Sequence, residues 1–194
     1  AGVLKGEILV QNHCYRAEEM AMMIDIANEF NYKITAFHHA VEAYKIADFL
    51  VEHQVPVILN RVTSLPYGTD TDIDMPFKKA SVLEDAGVLY CFSVGDFWRE
   101  RNLAFQAGMS VGFGLDYDAA VAGLTLRTAQ ILGIDEQVGS LEVGKDATLF
   151  ISEGDALDYL GNQVSRIFIQ GRDVTTENKH KALYRKFNGK YNND

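Results

Sequence analysis

Four short apolar runs, each followed by a stretch of helical periodicity or a turn-rich connection, constrain this chain more than any other feature. Residues 7–12 read EILVQN, 33–37 KITAF, 56–59 PVIL and 88–93 VLYCFS. Between them, residues 17–30 repeat apolar positions at helical spacing through Met20, Met23, Ile24 and Ala27. Residues 42–53 do the same through Ala43, Ile46, Ala47 and Leu50, and 77–86 reads as a helix stopped by Gly87, a residue suited to a left-handed cap. Alternation of this kind predicts βαβ units around a parallel sheet. The runs are nearly all apolar, so the strands are expected to be buried on both faces. The fold class is α/β, and four such units make half of a TIM-like (β/α)₈ barrel.

Beyond the fourth run the pattern changes. Residues 103–114 are apolar and rich in small side chains, and 116–132 reads as one helix that turns Ala119, Ala120, Leu124 and Ala129 inward. Residues 147–151 and 166–170 read as strands of a small β-sandwich, and 178–191 as a polar helix. The expected organisation is a half-barrel with its following helices over 1–132, β-sandwich strands over 133–172 and a helical tail over 173–194, with the boundary near Gly133.

The 194 residues suffice for one domain with a core plus an appendage, and their net charge of -9 disfavours tracking a phosphate backbone. No nucleic-acid partner is expected, and Lys179, Lys181, Arg185 and Lys186 read as the solvated face of the tail helix. No run of ~18 apolar residues offers a membrane span. Cys14 and Cys91, both inside apolar runs, suggest a reducing compartment, so the cytoplasm is favoured. The chain opens on Ala1, almost directly on a strand and without a visible signal peptide, which fits a processed or truncated product.

Three polar residues, His13, His39 and Asp96, fall just past the C-terminal ends of strand-like runs, where barrel enzymes place their catalytic groups. Each has a plainer reading alone: His13 as a surface or capping residue, Asp96 as a helix N-cap. Together, imidazoles and a carboxylate are donors that suit a divalent transition metal. His38 and His39 are adjacent, and alternation along a strand predicts that one enters the barrel mouth while the other packs outward. Cys14 beside His13 reads as a buried thiol more readily than as a soft ligand. Arg99, Arg101 and Asn102 follow Asp96 and either touch substrate or pair with Glu100 and its neighbours. Trp98 either lines the mouth or covers the barrel end. Residues 61–76 form a long loop of the kind that can serve as a lid, but the alternating Asp70, Asp72 and Asp74 lack the glycine and distal Glu of a calcium loop, so a solvated loop is the better reading.

Five segments resemble the amidohydrolase superfamily, the metal-dependent hydrolases related to imidazolonepropionase. NHCYRAEEM is similar to the family's fifth barrel strand, AFHHAVEAYKIADFLVEHQVPVILN to the sixth and AGVLYCFSVGD to the eighth. RNLAFQAGMSVGFGL resembles the helix that follows, with Ala104 where relatives commonly have Pro. LTLRTAQILGIDEQVGSLEVGKDATLFISEGDALD matches the family's C-terminal segment, most specifically through VGSLEVGKDATLFIS.

The resemblance implies the C-terminal half of the enzyme, strands five to eight. It implies a divalent metal, zinc first, held by His13, His39 and Asp96, with His38 at a variable position. Asp96 becomes the general base, and the reaction becomes hydrolysis of a non-peptide C–N bond in a cyclic or linear amide-like small molecule. The family's HxH pair after the first strand does not occur in this chain. The isolated chain is therefore expected to be weakly active or inactive. A half-barrel leaves two sheet edges and an apolar face open, so either a homo-oligomer or a missing N-terminal half is the expected partner. The rival expectation is a non-catalytic scaffold or assembly module derived from the same fold.

Overall fold

A computed structural model describes residues 2–191. Its contacts gather into two compact units that divide between Lys145 and Asp146. In the first unit, β1 (Val10–Cys14), β2 (Ile34–His39), β3 (Val57–Leu59) and β4 (Tyr90–Cys91) form one sheet, parallel throughout, ordered as in the chain. This is the α/β sheet expected from the four apolar runs. All three residues of β3 are buried. Successive side chains point to opposite faces, so this strand is covered on both. Ala36, Ile58 and Cys91 pack together with Ile131.

The helices follow from local chemistry. The first, α1 (Ala17–Phe30), spans the predicted residues and buries Met20, Ile24 and Ala27. The Glu19 carboxylate accepts from the Tyr15 and Arg16 N–H groups and closes its start, and Asn31 ends it in the left-handed region. The segment expected as a single helix over 42–53 instead opens with a 3₁₀ turn, Ala43–Ile46, before α2 (Ala47–Glu52). Pro76 sits in the first turn of α3 (Met75–Asp85), where its missing N–H costs nothing. A 3₁₀ segment, Phe97–Asn102, leads into α4 (Leu103–Gly112). The helix expected over 116–132 is two: α5 (Tyr117–Leu124) and α6 (Leu126–Leu132), broken at Thr125. The Gly123 carbonyl accepts from the Phe92 N–H and the Thr128 hydroxyl, and an added Cβ at Gly123 would lie 3.0 Å from the Phe92 ring. Arg127 forks onto Glu84 and lies over the Tyr90 ring, fastening α6 to α3 beside β4.

The second unit holds β5 (Leu149–Ser152), β6 (Val164–Ile169) and β7 (Arg172–Val174), an antiparallel three-stranded meander. Gln170 and Gly171, both at positive φ, make the tight β6–β7 turn. The strands were expected to belong to a sandwich; among the described residues they form a single sheet. The tail, α7 (Lys179–Tyr191), is helical as its polar periodicity suggested and buries none of its residues. Among the described residues no helix is long and apolar enough to cross a membrane.

The division falls after Lys145, not near Gly133, because the turns of VGSLEVGK fold back onto α6. Gly139 has φ 97°, and a Cβ there would sit 2.7 Å from the Ala129 Cβ and 3.0 Å from the Leu126 Cα. The Lys145 ammonium then closes the loop on the Ser140 hydroxyl at 2.6 Å and the Glu142 carboxylate at 3.2 Å. Gly139→Ala is expected to cost about 3 kcal/mol, from left-handed backbone strain and overpacking together. Urea unfolding checks this; a loss under about 0.5 kcal/mol, the range of neutral surface changes, would show that the contact with α6 is not needed.

Candidate metal centre

Strand register places the first two histidines. In the parallel β1–β2 ladder His13 stands opposite His38 and Cys14 opposite His39. Both β1 and β2 run further toward their C-terminal ends than the apolar runs suggested, so His13 and His39 are the penultimate and last residues of strands and not residues just beyond them.

Regular alternation would send His38 and His39 to opposite faces. The backbone prevents it: His39 has φ 71° and Ala40 φ 41°, left-handed values that turn the end of β2. All three imidazoles therefore converge, each offering a nitrogen, and these atoms lie within 4.8 Å of one another. His13 Nδ1 is 2.9 Å from His39 Nε2, His13 stacks on His38 at 4.6 Å, and His38 meets His39 edge-on at 4.5 Å. His38, expected to pack outward, is a member of the cluster. The signal that would have found it is the His-His-Ala sequence itself at a strand end, where a turn can override alternation.

The environment favours neutral rings. Burial, followed by the neighbouring imidazoles, holds His38 below its ordinary range; burial, His13 and Lys79 do the same for His39. Neutral imidazole is the form that ligates metal. The buried Nδ1 of His38 has no hydrogen-bond partner among the described residues. Imidazole nitrogens are common zinc ligands, and three of them gathered this closely would hold such an ion. The donor set fits a divalent transition metal.

Asp96 does not join the cluster. It precedes the 3₁₀ segment, and its half-exposed carboxylate pairs with Arg99 at 3.1 Å. Trp98 is exposed and meets Phe97 edge-on, Arg101 is exposed, and Asn102 is half-buried at the end of that turn. Cys14 and Cys91 are buried free thiols; burial pushes Cys14 up and Cys91 up to about 11, so neither is poised as a ligand. The loop after β3 is pinned, not loose: the buried Gln106 side-chain oxygen accepts from the Val62 N–H at 2.8 Å and the Thr63 N–H at 3.0 Å. Its Asp72 and Asp74 carboxylates pair with Lys78, as a solvated loop would.

One charged residue escaped the sequence reading. Lys79, on α3, is only 5% exposed. Burial alone acts on its amine and pulls it down to about 8, and no described carboxylate pairs with it to restore the charge. The signal was its helical spacing: Lys79 lies one turn before the fully buried Leu83.

The sequence model of the amidohydrolase family matches residues 54–178. The amidohydrolase tasK of Hapsidospora irregularis is 29% identical over 181 residues, which cover 87% of this chain and 17% of that protein. A solved amidohydrolase from Thermotoga maritima MSB8 superposes with a TM-score of 0.79 at 28% identity, over 91% of this chain and 45% of its own. An adenosine deaminase from Xanthomonas campestris, solved with bound zinc, superposes with a TM-score of 0.63 at 18% identity, over 98% of this chain and 52% of its own, a likeness of fold alone. The chain thus spans about half the length, or less, of the proteins it matches.

Lys79 also sets a measurable pH dependence. Its amine is neutral more readily in the fold than in the unfolded chain, so stability is lowest below pH 8 and rises as pH climbs toward 10.5. Lys79→Met is expected to stabilise the chain at pH 7 by on the order of 3 kcal/mol, a gain that shrinks above pH 8 and vanishes near 10.5. Urea titrations of both proteins across that range check it; a gain independent of pH would contradict the buried charge.

Proposed function

This chain belongs to the amidohydrolase family, and from that premise we propose that it is the histidine-bearing C-terminal half of a hydrolase that cleaves a C–N bond in a cyclic or linear amide-like small molecule. The observation that carries the reading is the convergence of three imidazoles at the C-terminal edge of the parallel sheet. His13 and His39 would hold a divalent metal, zinc first, and His38 adds a third nitrogen within reach. When bound, such an ion supplies Lewis acidity that lets water ionise near neutral pH.

The remaining chemistry is the chain's own. His38 and His39, held below their ordinary range, would offer ring nitrogens with little competition from protons. Asp96 would take a proton from the water as its oxygen bonds to the substrate's carbonyl or imine carbon. It would then return that proton to the nitrogen as the C–N bond breaks. To do so it must exchange Arg99 for the reacting water. Trp98, Arg101 and Asn102, on the 3₁₀ turn after Asp96, would face the substrate. A further segment, or a second copy, would cover the outer edges of β1 and β4 and complete the barrel, so the isolated chain is weakly active at best. The free thiols fit a reducing compartment such as the cytoplasm.

One observation favours a second reading, a non-catalytic scaffold or assembly module that keeps the fold: Asp96 stands paired with Arg99 and outside the imidazole cluster. Metal analysis after dialysis against trace zinc separates the two. The hydrolase reading expects bound zinc that His13→Ala and His39→Ala both lose, with turnover of simple amides and cyclic imides far below the ~10 s⁻¹ typical of enzymes. Near-stoichiometric zinc with rapid turnover would overturn the need for another half. No zinc uptake at all would leave the scaffold.

A further inference from the structure

We propose that Lys79 is an anion-binding point of this site, taking one oxygen of a carboxylate carried by the ligand beside His39. The word substrate for that ligand rests on the hydrolase reading above; the binding itself does not.

Lys79 lines a cavity of about 10 Å³ on the side of the sheet where the strands end, between the segment after β2 and the loop after β3. That is room for about one water-sized group. Tyr44, Ser64, Tyr67 and Thr71 also line it, residues of a kind that can hydrogen-bond a guest oxygen. The nearest acid, Glu42, is already engaged: one oxygen takes the Lys45 ammonium at 2.7 Å, the other the Ala17 N–H at 3.1 Å. The Lys79 amine, 5% exposed, makes no ion pair with any described residue.

A buried ammonium without a counter-charge is an arrangement that folding alone disfavours. A water fills the space but leaves the charge; a carboxylate oxygen does both. Two ring contacts link the cavity wall to His39. Tyr67, in its wall, lies parallel to Tyr15 at 6.1 Å, and Tyr15 stacks on His39 at 4.7 Å. The Lys79 charge reaches His39, which it helps to keep neutral. A ligand anchored through one carboxylate oxygen on Lys79 therefore extends along Tyr67 and Tyr15 toward the imidazoles. The ligand class is a small acid with a neutral amide or similar group a few atoms from its carboxylate.

The test uses the full chain, dialysed free of metal, so neither turnover nor zinc enters the readout. N-acetylglycine and its primary amide are titrated at low salt and followed by isothermal calorimetry and ligand NMR. The acid is expected to bind at least about tenfold tighter than the amide. Lys79→Met should erase that difference, Lys79→Arg should keep part of it, and Lys78→Met, at the neighbouring lysine that pairs with Asp72 and Asp74, should leave it in place. Equal binding of acid and amide, no binding of either, or an undiminished preference in Lys79→Met would overturn the proposal. Inorganic phosphate that binds tighter than the acid would overturn the carboxylate assignment. If Lys79→Met does not fold, the wild-type acid-to-amide ratio still decides. Failure of zinc uptake in the preceding experiment would leave this result untouched, so the two readings fail separately.

Discussion

Two left-handed backbone steps, at His39 and Ala40, hold this site together. Neither residue is glycine, and each such step costs on the order of 1 kcal/mol or more. The surroundings over-determine them. The Ala40 N–H donates to the Cys14 carbonyl at 2.8 Å, the His39 carbonyl accepts from Asn60 at 3.0 Å, and Ala40 is fully buried. The turn is thus clamped by both neighbouring strands. Without it, β2 would continue straight and point its last two side chains apart; with it, three rings from two strands share one small volume.

The fold was legible where periodicity and burial agree. In α1, Met20, Ile24 and Ala27 face the core and Asn31 ends the helix, so pattern and stop signal coincide. β3 was equally clear, because a strand covered on both faces is apolar at every position. The misses share a cause: a long-range partner overrode a local rule. Thr125 breaks a helix because Phe92, from beyond β4, binds the Gly123 carbonyl. His38 joins the cluster because neighbouring strands fix the turn after it. Lys79 is buried although its neighbour Lys78 behaves as a lysine should, paired with Asp72 and Asp74. Nothing in a single sequence separates those adjacent lysines except register against Leu83.

The site is lopsided in charge. The rings of His38 and His39 and the amine of Lys79 are held below their ordinary ranges, and two acids are already engaged: Glu42 by Lys45 and the start of α1, Asp96 by Arg99. A centre of basic groups without a free carboxylate is receptive to a cation at the rings and to an anion at the amine. That polarity suits a molecule or complex bearing both, and it comes from residues of β1, β2 and α3 alone.

The turn at Gly139 carries a separate consequence. Its backbone lies against Leu126 and Ala129 so closely that no side chain fits, and this demand comes from packing on α6, far in kind from any reaction. Stability of the fold is thus reason enough for a glycine at position 139, whether or not a chain turns over a substrate. A turn kept for packing speaks of ancestry; chemistry has to be read at the ends of β1 and β2.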